Sequence, residues 1–397
     1  MKRYRLVILA FAVFVSATTR GQLFRPLGLG IEKCEQMWDH FRPQMHVEGN
    51  ILYVCTNQGL YSKDLSAKDS AWQLVGFENI PLQDFVRRED CILALQYSIR
   101  NHYFLLSHDG GKTYQDATPR TFYMGEAESV MTLISLVPHP FDPNMLLVSS
   151  NAGIYQSPDF GQTWNPLTYL IIPRYIGYHP LNPEIIYASG ESELLRLVLN
   201  ISYDGGQTWQ YNPPYYSDDN CVNRMAFHPT DSDRWIVGGS SAVYISNDNG
   251  HTWDTQDFSG NGLSDGFWAF TAYDDENCDI IYMAGRTQDR IKVMCSTDGG
   301  ETWSIPQTEL MKKSSTEEVY DFEQYGGKLL FYTESDVYEI SKAELLAQAS
   351  SVRSITTTRA DASSDIYDLQ GRRLSAKPQK GLYIQNGKKK VVVKVTP

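Results

Sequence analysis

Short apolar runs recur along most of the chain, and turns rich in Gly, Pro, Asp and Asn separate them. Typical runs are Ile185–Ala188 and Ile280–Met283, and their length suits a strand better than a helix. The composition agrees, because the 25 Tyr and 8 Trp residues favour strands. The pattern therefore predicts an all-β chain of short antiparallel strands.

One polar motif, S-x-D-x-G-x-T-[WY], follows the third apolar run of each unit. It occurs five times, at Ser107–Tyr114, Ser157–Trp164, Ser202–Trp209, Ser246–Trp253 and Ser296–Trp303. The aspartates, Asp109, Asp159, Asp204, Asp248 and Asp298, are spaced by 50, 45, 44 and 50 residues. A period of about 40–50 residues with four strands per unit is typical of a β-propeller blade.

Local physical chemistry gives every position of this motif a structural role. The Asp side chain can fold back and accept hydrogen bonds from turn amides, and the Gly allows backbone angles that other residues avoid. The aromatic residue can bury against a neighbouring blade, as expected for Trp164, Trp209, Trp253 and Trp303. We therefore interpret these residues as structural and predict no catalytic role for the aspartates.

Two degenerate units flank the five motif-bearing ones, near residues 51–72 and 328–340. Together they predict a seven-bladed propeller, with six blades as the alternative if the two ends share one blade. Strands from both ends are expected to close the ring, since closure removes exposed sheet edges. A His-Pro turn recurs at His139, His179 and His228, and we interpret these histidines as turn residues rather than metal ligands.

The ends of the chain differ from its body. Residues 1–21 combine three early basic residues with an apolar run and are predicted to be a secretory signal peptide. The propeller is expected over 22–345, a Ser/Thr/Ala-rich linker over 346–364 and a small β module over 365–397. No later segment is apolar enough to cross a membrane, so the mature chain is expected to have no transmembrane segment.

Charge and cysteine content exclude several classes of function. The net charge is −12, and the body between residues 21 and 361 carries 23 basic against 44 acidic side chains, which argues against nucleic acid as a partner. The six cysteines lack CxxC spacing, so neither a zinc site nor another metal or cofactor is predicted. Cys278 and Cys295 bracket a predicted hairpin and are a candidate disulfide.

The motif resembles the Asp-box, or bacterial neuraminidase repeat, and its five copies make the likeness specific. With the His-Pro and Ile-Tyr segments, residues 46–340 are most similar to photosystem II stability and assembly-factor propellers, and more distantly to sortilin-type and xyloglucanase-type propellers. In those families the repeat marks the fold and is shared by enzymes and non-enzymes. The tail, including Ile366–Arg373 and an Asn386-Gly387 turn, is similar to the sorting domain of type IX secretion.

Ligands of propellers usually meet the funnel face, formed by the loops that enter each innermost strand and those between second and third strands. The aspartate motifs and His-Pro turns are expected on the opposite face. The candidate ligand-binding residues at the funnel are Arg174, Tyr175, Glu191, Arg224, Asp265, Trp268 and Arg286. Aromatics beside charges suit a glycan or protein ligand, whereas the alternative is that Arg174 and Arg224 only pair with acids of the channel wall.

These observations favour a secreted or surface-associated binding or scaffolding module for a glycan or protein. Type IX secretion machinery is an additional expected partner of the tail. The alternative is a glycoside hydrolase, sialidase-like or xyloglucanase-like, with its site at the funnel face; that chemistry requires paired carboxylates or an arginine cluster. A third hypothesis, which the resemblance supplies, is an assembly factor for an envelope complex. No residue is assigned a catalytic role from the sequence.

Overall fold

The computed structural model describes the propeller and parts of the C-terminal region. The described residues are 24–30, 42–67, 69–98, 102–124, 129–169, 172–191, 197–211, 224–239, 242–257, 267–286, 290–306, 309–311, 319–349, 355–356, 358–359, 366–367, 373–374, 381–385 and 388–392. The predicted signal peptide lies outside them. Across the described residues, no helix is long and apolar enough to cross a membrane.

Seven antiparallel sheets form the blades of a propeller, and at least the first three strands of each blade follow one another in the chain as a meander. From the innermost strand outward, blade 1 consists of Met45–Glu48, Ile51–Thr56, Gly59–Asp64 and Gln73–Gly76, and blade 2 of Leu82–Arg88, Cys91–Gln96, Tyr103–Ser107 and Gln115–Asp116. Blade 3 consists of Leu133–Pro138, Leu146–Ser150, Gly153–Ser157 and Asn165–Thr168, and blade 4 of Ile172–Tyr178, Ile186–Glu191, Leu197–Ser202 and Gln210–Tyr211. Blade 5 consists of Ala226–Phe227, Arg234–Gly238, Ala242–Asn247 and Asp254–Asp257, and blade 6 of Phe267–Tyr273, Ile281–Arg286, Arg290–Ser296 and Glu309–Met311. Blade 7 begins with Val319–Tyr325, Lys328–Thr333 and Val337–Ser341. The prediction of seven blades is confirmed, and the six-bladed alternative is wrong.

Both ends of the propeller contribute to blade 7. The N-terminal strand Arg25–Pro26 is its outermost strand and pairs with Val337–Ser341, with Arg25 opposite Glu339. Phe24 anchors this strand, because its side chain is buried and contacts Phe331 edge to face with 5.2 Å between ring centroids. The predicted ring closure by strands from both ends is confirmed.

The five aspartate motifs form identical hairpins, which we call the aspartate hairpins. In blade 3, Ser157 Oγ donates to Asp159 Oδ1 at 2.9 Å and accepts from Gly161 N at 2.8 Å. Asp159 in turn accepts from the backbone N and the hydroxyl of Thr163, each at 2.7 Å. The predicted folding back of the Asp side chain is therefore confirmed. Burial by itself would raise the pKa of Asp159, but these hydrogen bonds to the carboxylate lower it overall.

Each hairpin also packs against the preceding blade. Trp164 stacks on Phe104 of blade 2 with 5.1 Å between ring centroids, so the predicted burial of this aromatic residue is confirmed. Gly161 has a φ of 87°, and a Cβ on it would lie 2.4 Å from Leu93 Cδ2 of blade 2. A glycine is therefore required at this position by both conformation and space.

The His-Pro turns use the histidine ring as a backbone acceptor. His139 Nδ1 accepts from the amides of Phe141 and Asp142 at 3.1 and 3.0 Å, and His179 Nδ1 makes the equivalent pair of bonds. In blade 6, Asp274 Oδ1 takes over this role. The interpretation of these histidines as turn residues is confirmed.

The candidate disulfide between Cys278 and Cys295 is wrong, because both cysteines are free thiols. The side chain of Cys295 is buried in the core between blades 6 and 7, beside Phe322. Cys278 instead packs against the core between blades 5 and 6, beside Trp303. The two thiols lie on opposite faces of blade 6, which sequence proximity to one hairpin does not reveal.

The chain continues along the outside of the propeller after blade 7. A helix, α1 (Lys342–Ala349), buries Leu345 in the core between blades 6 and 7. Farther on, Ile355–Thr356 pairs with the blade 6 hairpin and Thr358–Arg359 pairs with the outermost strand of blade 5. The expected linker, 346–364, thus includes the end of α1 and two short paired strands. The final sheet comprises Ile366–Tyr367, Arg373–Leu374, Gly381–Gln385 and Lys388–Val392.

Candidate functional site

The innermost strands of five blades carry a β-bulge at the same height in the central channel. In blades 2, 3, 4, 6 and 7 the residue after the register shift is Asp84, Ser135, Tyr175, Phe270 and Asp321, respectively. Arg224 is the corresponding residue of blade 5 and forms a parallel bridge with Phe270. A bulge re-aims its side chain, and these six positions form what we call the channel ring.

Contacts that skip a blade show that the channel ring converges on the propeller axis. Tyr175 of blade 4 and Phe270 of blade 6 approach edge to face with 6.5 Å between their ring centroids. Arg224 of blade 5 reaches Asp321 of blade 7, where its Nη1 donates to Oδ1 at 2.8 Å. Only side chains pointing into the centre of the channel can make such contacts.

Asp84 ties blades 1, 2 and 3 together at the ring. Its Oδ1 accepts from its neighbour's amide, Phe85 N, at 2.9 Å, and lies 3.0 Å from His46 Nε2 of blade 1. Its Oδ2 accepts from Leu136 N of blade 3 at 2.8 Å. Both carboxylate oxygens are therefore engaged, and the side chain is only 2% exposed.

Asp321 repeats this arrangement between blades 7 and 1. Its Oδ1 accepts from Phe322 N and from Arg224, and its Oδ2 accepts from Met45 N at 2.9 Å. The carboxylate is 1% exposed, whereas the Arg224 side chain is 39% exposed to the channel. Glu323 lies on the other side of the guanidinium, with Oε1 3.6 Å from Nη2. The alternative hypothesis, in which Arg224 pairs with acids of the channel wall, thus describes an interaction that is present.

The enclosed charges perturb one another. Burial raises the pKa of Asp321 and of Glu323, and Arg224 offsets part of that rise in both. Burial alone would lower the pKa of His46, but the hydrogen bond and charge of Asp84, together with Asp321 and Glu323, raise it overall. The channel therefore holds an excess of acidic groups that favours bound protons and cations.

A cavity of about 270 Å³ opens along the channel between blades 5, 6 and 7. Arg224 and Glu323 lie at its ring end, and Pro229 and Asp275 lie at the end formed by the strand 1–2 turns. Its wall continues along the second half of each innermost strand, including Phe270 and Thr271. The cavity thus extends from the channel ring toward the face that carries the aspartate hairpins.

The structure brings together two of the predicted ligand-binding residues, Tyr175 and Arg224, whose side chains both contact members of the channel ring. Arg174, Glu191, Trp268 and Arg286 lie within strands of blades 4 and 6, and Asp265 lies outside the described residues. All these assignments stay predictions. In the part of the chain that the structure describes, no group of three or more His, Cys, Asp or Glu residues is arranged to hold a metal ion.

Sequence reasoning missed His46, Asp84, Asp321 and Glu323, which are unrepeated residues of blades 1, 2 and 7. A usable signal exists, however. Counting back four residues from the turn residues His139, His179, His228 and Asp274 reaches a channel-ring residue in blades 3 to 6. The same count from the first turn residue of blade 2, Glu89, or of blade 7, Gly326, reaches Phe85 or Phe322 and so misses each aspartate by one position.

Comparisons with known proteins agree with the fold. The profile of the family described as "Sortilin, neurotensin receptor 3" (Sortilin-Vps10) matches residues 197–371, which is less than half of the chain. No curated protein matches the sequence. Solved propellers resemble the structure at low sequence identity, so these likenesses establish the architecture.

Three solved structures illustrate the range of such propellers. The GH74 xyloglucanase from Xanthomonas campestris has a TM-score of 0.52 at 18% identity, covering 74% of this chain and 50% of the xyloglucanase, so this chain spans half the enzyme's length. YCF48 bound to D1 peptide has a TM-score of 0.54 at 14% identity, covering 76% of this chain and 94% of YCF48. The extracellular domain of a proposed one-component system from B. thetaiotaomicron has a TM-score of 0.53 at 10% identity, covering 80% and 40%. The protein is a seven-bladed β-propeller.

Proposed function

We propose that this protein is an exported propeller that binds or scaffolds a glycan or protein ligand at its funnel face. The observation that carries the proposal is the way in which the channel acids are used. Asp84 and Asp321 have both oxygens bonded to backbone amides and also bind His46 and Arg224, respectively, and they are almost fully buried. Carboxylates held in this way stabilise neighbouring blades and are poorly placed to exchange protons with a polymeric substrate.

The funnel end of the innermost strands supports the same proposal. Trp268 and Arg286 lie one residue apart in register on the first two strands of blade 6. Phe267 pairs with Arg286, and Trp268 pairs with Gly285. Tryptophan and arginine are residue types that stack on, and hydrogen bond to, sugars and peptides, so their positions at the paired ends of two strands support a binding role. The related fold of YCF48, which has been solved with a bound peptide, is consistent with a binding role.

A glycan array and a peptide array, probed with the mature propeller, test this proposal. We expect specific binding that Trp268→Ala or Arg286→Ala weakens at least about tenfold. Tyr211→Ala is the matched control, because Tyr211 is 59% exposed but lies on the outermost strand of blade 4. Binding that survives both funnel substitutions but is lost in the control would refute the assignment of the funnel face.

The glycoside hydrolase remains the second candidate, since the fold is similar to that of a xyloglucanase. It predicts release of reducing sugar from a β-glucan or sialylated glycan and loss of that release when Glu191 is changed to Gln. Binding without any turnover on these substrates would leave the binding module as the function.

Export is part of the proposal. We infer that residues 1–21 direct secretion and that the C-terminal module acts as a type IX sorting signal. Gln385 pairs with Lys388 in the module, which is the register of the predicted two-residue hairpin. Deleting residues 365–397 should retain the protein in the periplasm of a type IX-competent host, as measured by fractionation. Unchanged surface display of the deletion variant would contradict the sorting role.

A further inference from the structure

Three His-Pro turns lie side by side on the face that carries the aspartate hairpins, where the innermost strands of blades 3, 4 and 5 end. The His139 ring approaches Tyr178, the residue before the next turn, with 4.8 Å between ring centroids. His179 Nε2 in turn lies 3.1 Å from Ser232 O of the third turn. Adjacent turns are therefore in contact. We call the continuous surface that they form, residues 139–145, 179–185 and 228–234, the turn surface.

The turn surface carries an exposed apolar patch. Phe141 is 66% exposed and Leu181 is 43% exposed, and each is the second residue after the histidine of its turn. Equivalent positions of neighbouring blades lie side by side around a propeller, so the two side chains belong to one patch. Its exposed apolar residues are Pro140, Phe141, Pro143, Pro180, Leu181 and Pro229. A contiguous exposed apolar patch is typical of a docking surface for a partner.

The turns of blades 3 and 4 are fixed internally and offer no free backbone donor. In blade 3, the amides of residues 141 and 142 bond to His139 Nδ1, and those of residues 144 and 145 bond to Asp142. Blade 4 repeats this pattern with His179 and Asn182. The remaining positions of 140–145 and 180–185 are prolines, which have no N–H. A partner therefore meets preformed turns whose backbone can only accept hydrogen bonds, and little ordering is needed on binding.

The charge around the patch indicates the charge of the partner. The three turns and the aspartate hairpins of the same blades contain one basic residue, Arg234, which donates to Gly299 O of the blade 6 hairpin. Their acidic residues are Asp142, Asp159, Glu184, Asp204, Asp231, Asp233 and Asp248. Asp142 and Glu184, which belong to the same turns as Phe141 and Leu181, form no ion pair within the part of the chain that the structure describes. The patch is therefore complementary to an apolar segment that also carries positive charge.

We propose that the turn surface docks an arginine-bearing segment of a partner protein, with a guanidinium stacked on Phe141 and hydrogen bonded to Asp142. Arginine combines a flat face that stacks on aromatic rings, several N–H donors without an acceptor, and a permanent charge. These properties match the exposed ring, the acceptor-only backbone and the carboxylates that have no ion-pair partner. Apolar side chains of the same segment cover Leu181 and the prolines. The turn surface is distinct from the funnel face and gives the protein a second binding surface.

Fluorescence anisotropy on the full mature chain tests the proposal with a dye-labelled peptide, Ala-Arg-Leu-Arg-Ala-amide. We expect saturable binding, weaker binding of the lysine counterpart and none of the glutamine counterpart. Phe141→Ser and Glu184→Gln should each weaken binding of the arginine peptide at least about fivefold. Tyr169→Ser is the matched aromatic control, because Tyr169 is 65% exposed but follows the outermost strand of blade 3. Glu78→Gln is the charge control, because it removes an exposed carboxylate from the loop between blades 1 and 2.

The same titration distinguishes a partner protein from the basic tail of this chain, which contains Arg372 and Arg373. If changing both arginines to Gln in the full chain raises the affinity for the peptide at least about fivefold, the tail competes for the turn surface and a partner protein is excluded. Unchanged affinity supports the partner. No saturable binding, equal binding of the arginine and glutamine peptides, or an equal loss in Phe141→Ser and Tyr169→Ser would overturn the proposal. None of these variants changes the funnel face, so the result is independent of the ligand bound there.

Discussion

Replacing Arg224 with Ala removes the ion pairs by which blade 5 reaches across the channel ring to Asp321 and Glu323 of blade 7. Asp321 then keeps its two backbone donors but loses its cationic partner while staying almost fully buried. Breaking a fully buried pair costs about 3–5 kcal/mol, but the Arg224 side chain is 39% exposed to channel water. We therefore expect the free energy of unfolding to fall by about 1–3 kcal/mol.

The pH dependence of this loss identifies its cause. Burial already raises the pKa of Asp321 above that of a free Asp, and removal of the guanidinium raises it further. A carboxyl group whose pKa is higher in the folded state binds a proton on folding, so its cost grows as the pH rises above the unfolded-state value near 4. The stability difference between wild type and Arg224→Ala is expected to shrink as the pH is lowered from 7 to about 4.

Urea denaturation followed by tryptophan fluorescence at several pH values measures this difference. Adding Asp321→Asn to Arg224→Ala closes a double-mutant cycle and should show a coupling energy of at least about 1 kcal/mol. The control is Arg25→Ala, since Arg25 pairs with Glu344 at 2.7 Å but both side chains are exposed. If Arg224→Ala lowers the free energy of unfolding no more than this control does, or if that loss does not decrease in acid, then Arg224 does not stabilise the buried Asp321 carboxylate.

Three further predictions concern stability. Ser157→Ala should cost about 1–3 kcal/mol in urea denaturation because it leaves the buried Gly161 amide without an acceptor, and a smaller cost than that of the exposed-surface change Gln162→Ala would contradict the hairpin's role. Burial lowers the pKa of His102 to about 4, so folding is favoured by the neutral ring above pH 6.5 and this stability is lost as the pH falls toward 4. His102→Gln should therefore flatten the dependence of unfolding free energy on pH between 6.5 and 4. An unchanged pH dependence would exclude His102 as the cause of that loss. Truncation after residue 341 should lower the free energy of unfolding by about 2 kcal/mol or more, because it exposes the surface that Leu345 covers. Truncation after residue 364 is the control and should not lower it. Equal melting temperatures of the two truncated proteins would show that α1 is dispensable.

The repeated residues explain why so much of the fold could be predicted from the sequence. The Ser, Asp, Gly and Thr positions of each aspartate hairpin satisfy one another within eight residues, so their roles follow from local hydrogen bonding alone. The spacing of these hairpins then gives the blade period. The sequence predicts that strands from both ends close the ring, but it does not identify Arg25–Pro26 as the N-terminal strand. Two exposed residues carry no strand signal by themselves.

The cysteines and the channel acids could not be placed in the same way. Whether Cys278 and Cys295 share a face of blade 6 depends on the strand order and register of the whole blade. Likewise, Asp321 and Arg224 are 97 positions apart in sequence and meet only because the ring brings blades 5 and 7 to one axis. A contact that skips a blade has no local pattern from which it can be inferred.

The channel ring shows how a repeated fold acquires an individual site. Away from the axis, each of the five aspartate hairpins packs against the preceding blade in the same way, so its residues report only architecture. At the axis, the channel ring brings together one position from each of blades 2 to 7, so a substitution in one blade changes the environment of residues in other blades. Asp84 and Asp321 use this position to bind a backbone amide of the next blade, whereas the side chains of Tyr175 and Arg224 stay partly exposed. Substitutions at channel-ring positions can therefore change the surface of the channel without disturbing the aspartate hairpins, which pack neighbouring blades together elsewhere.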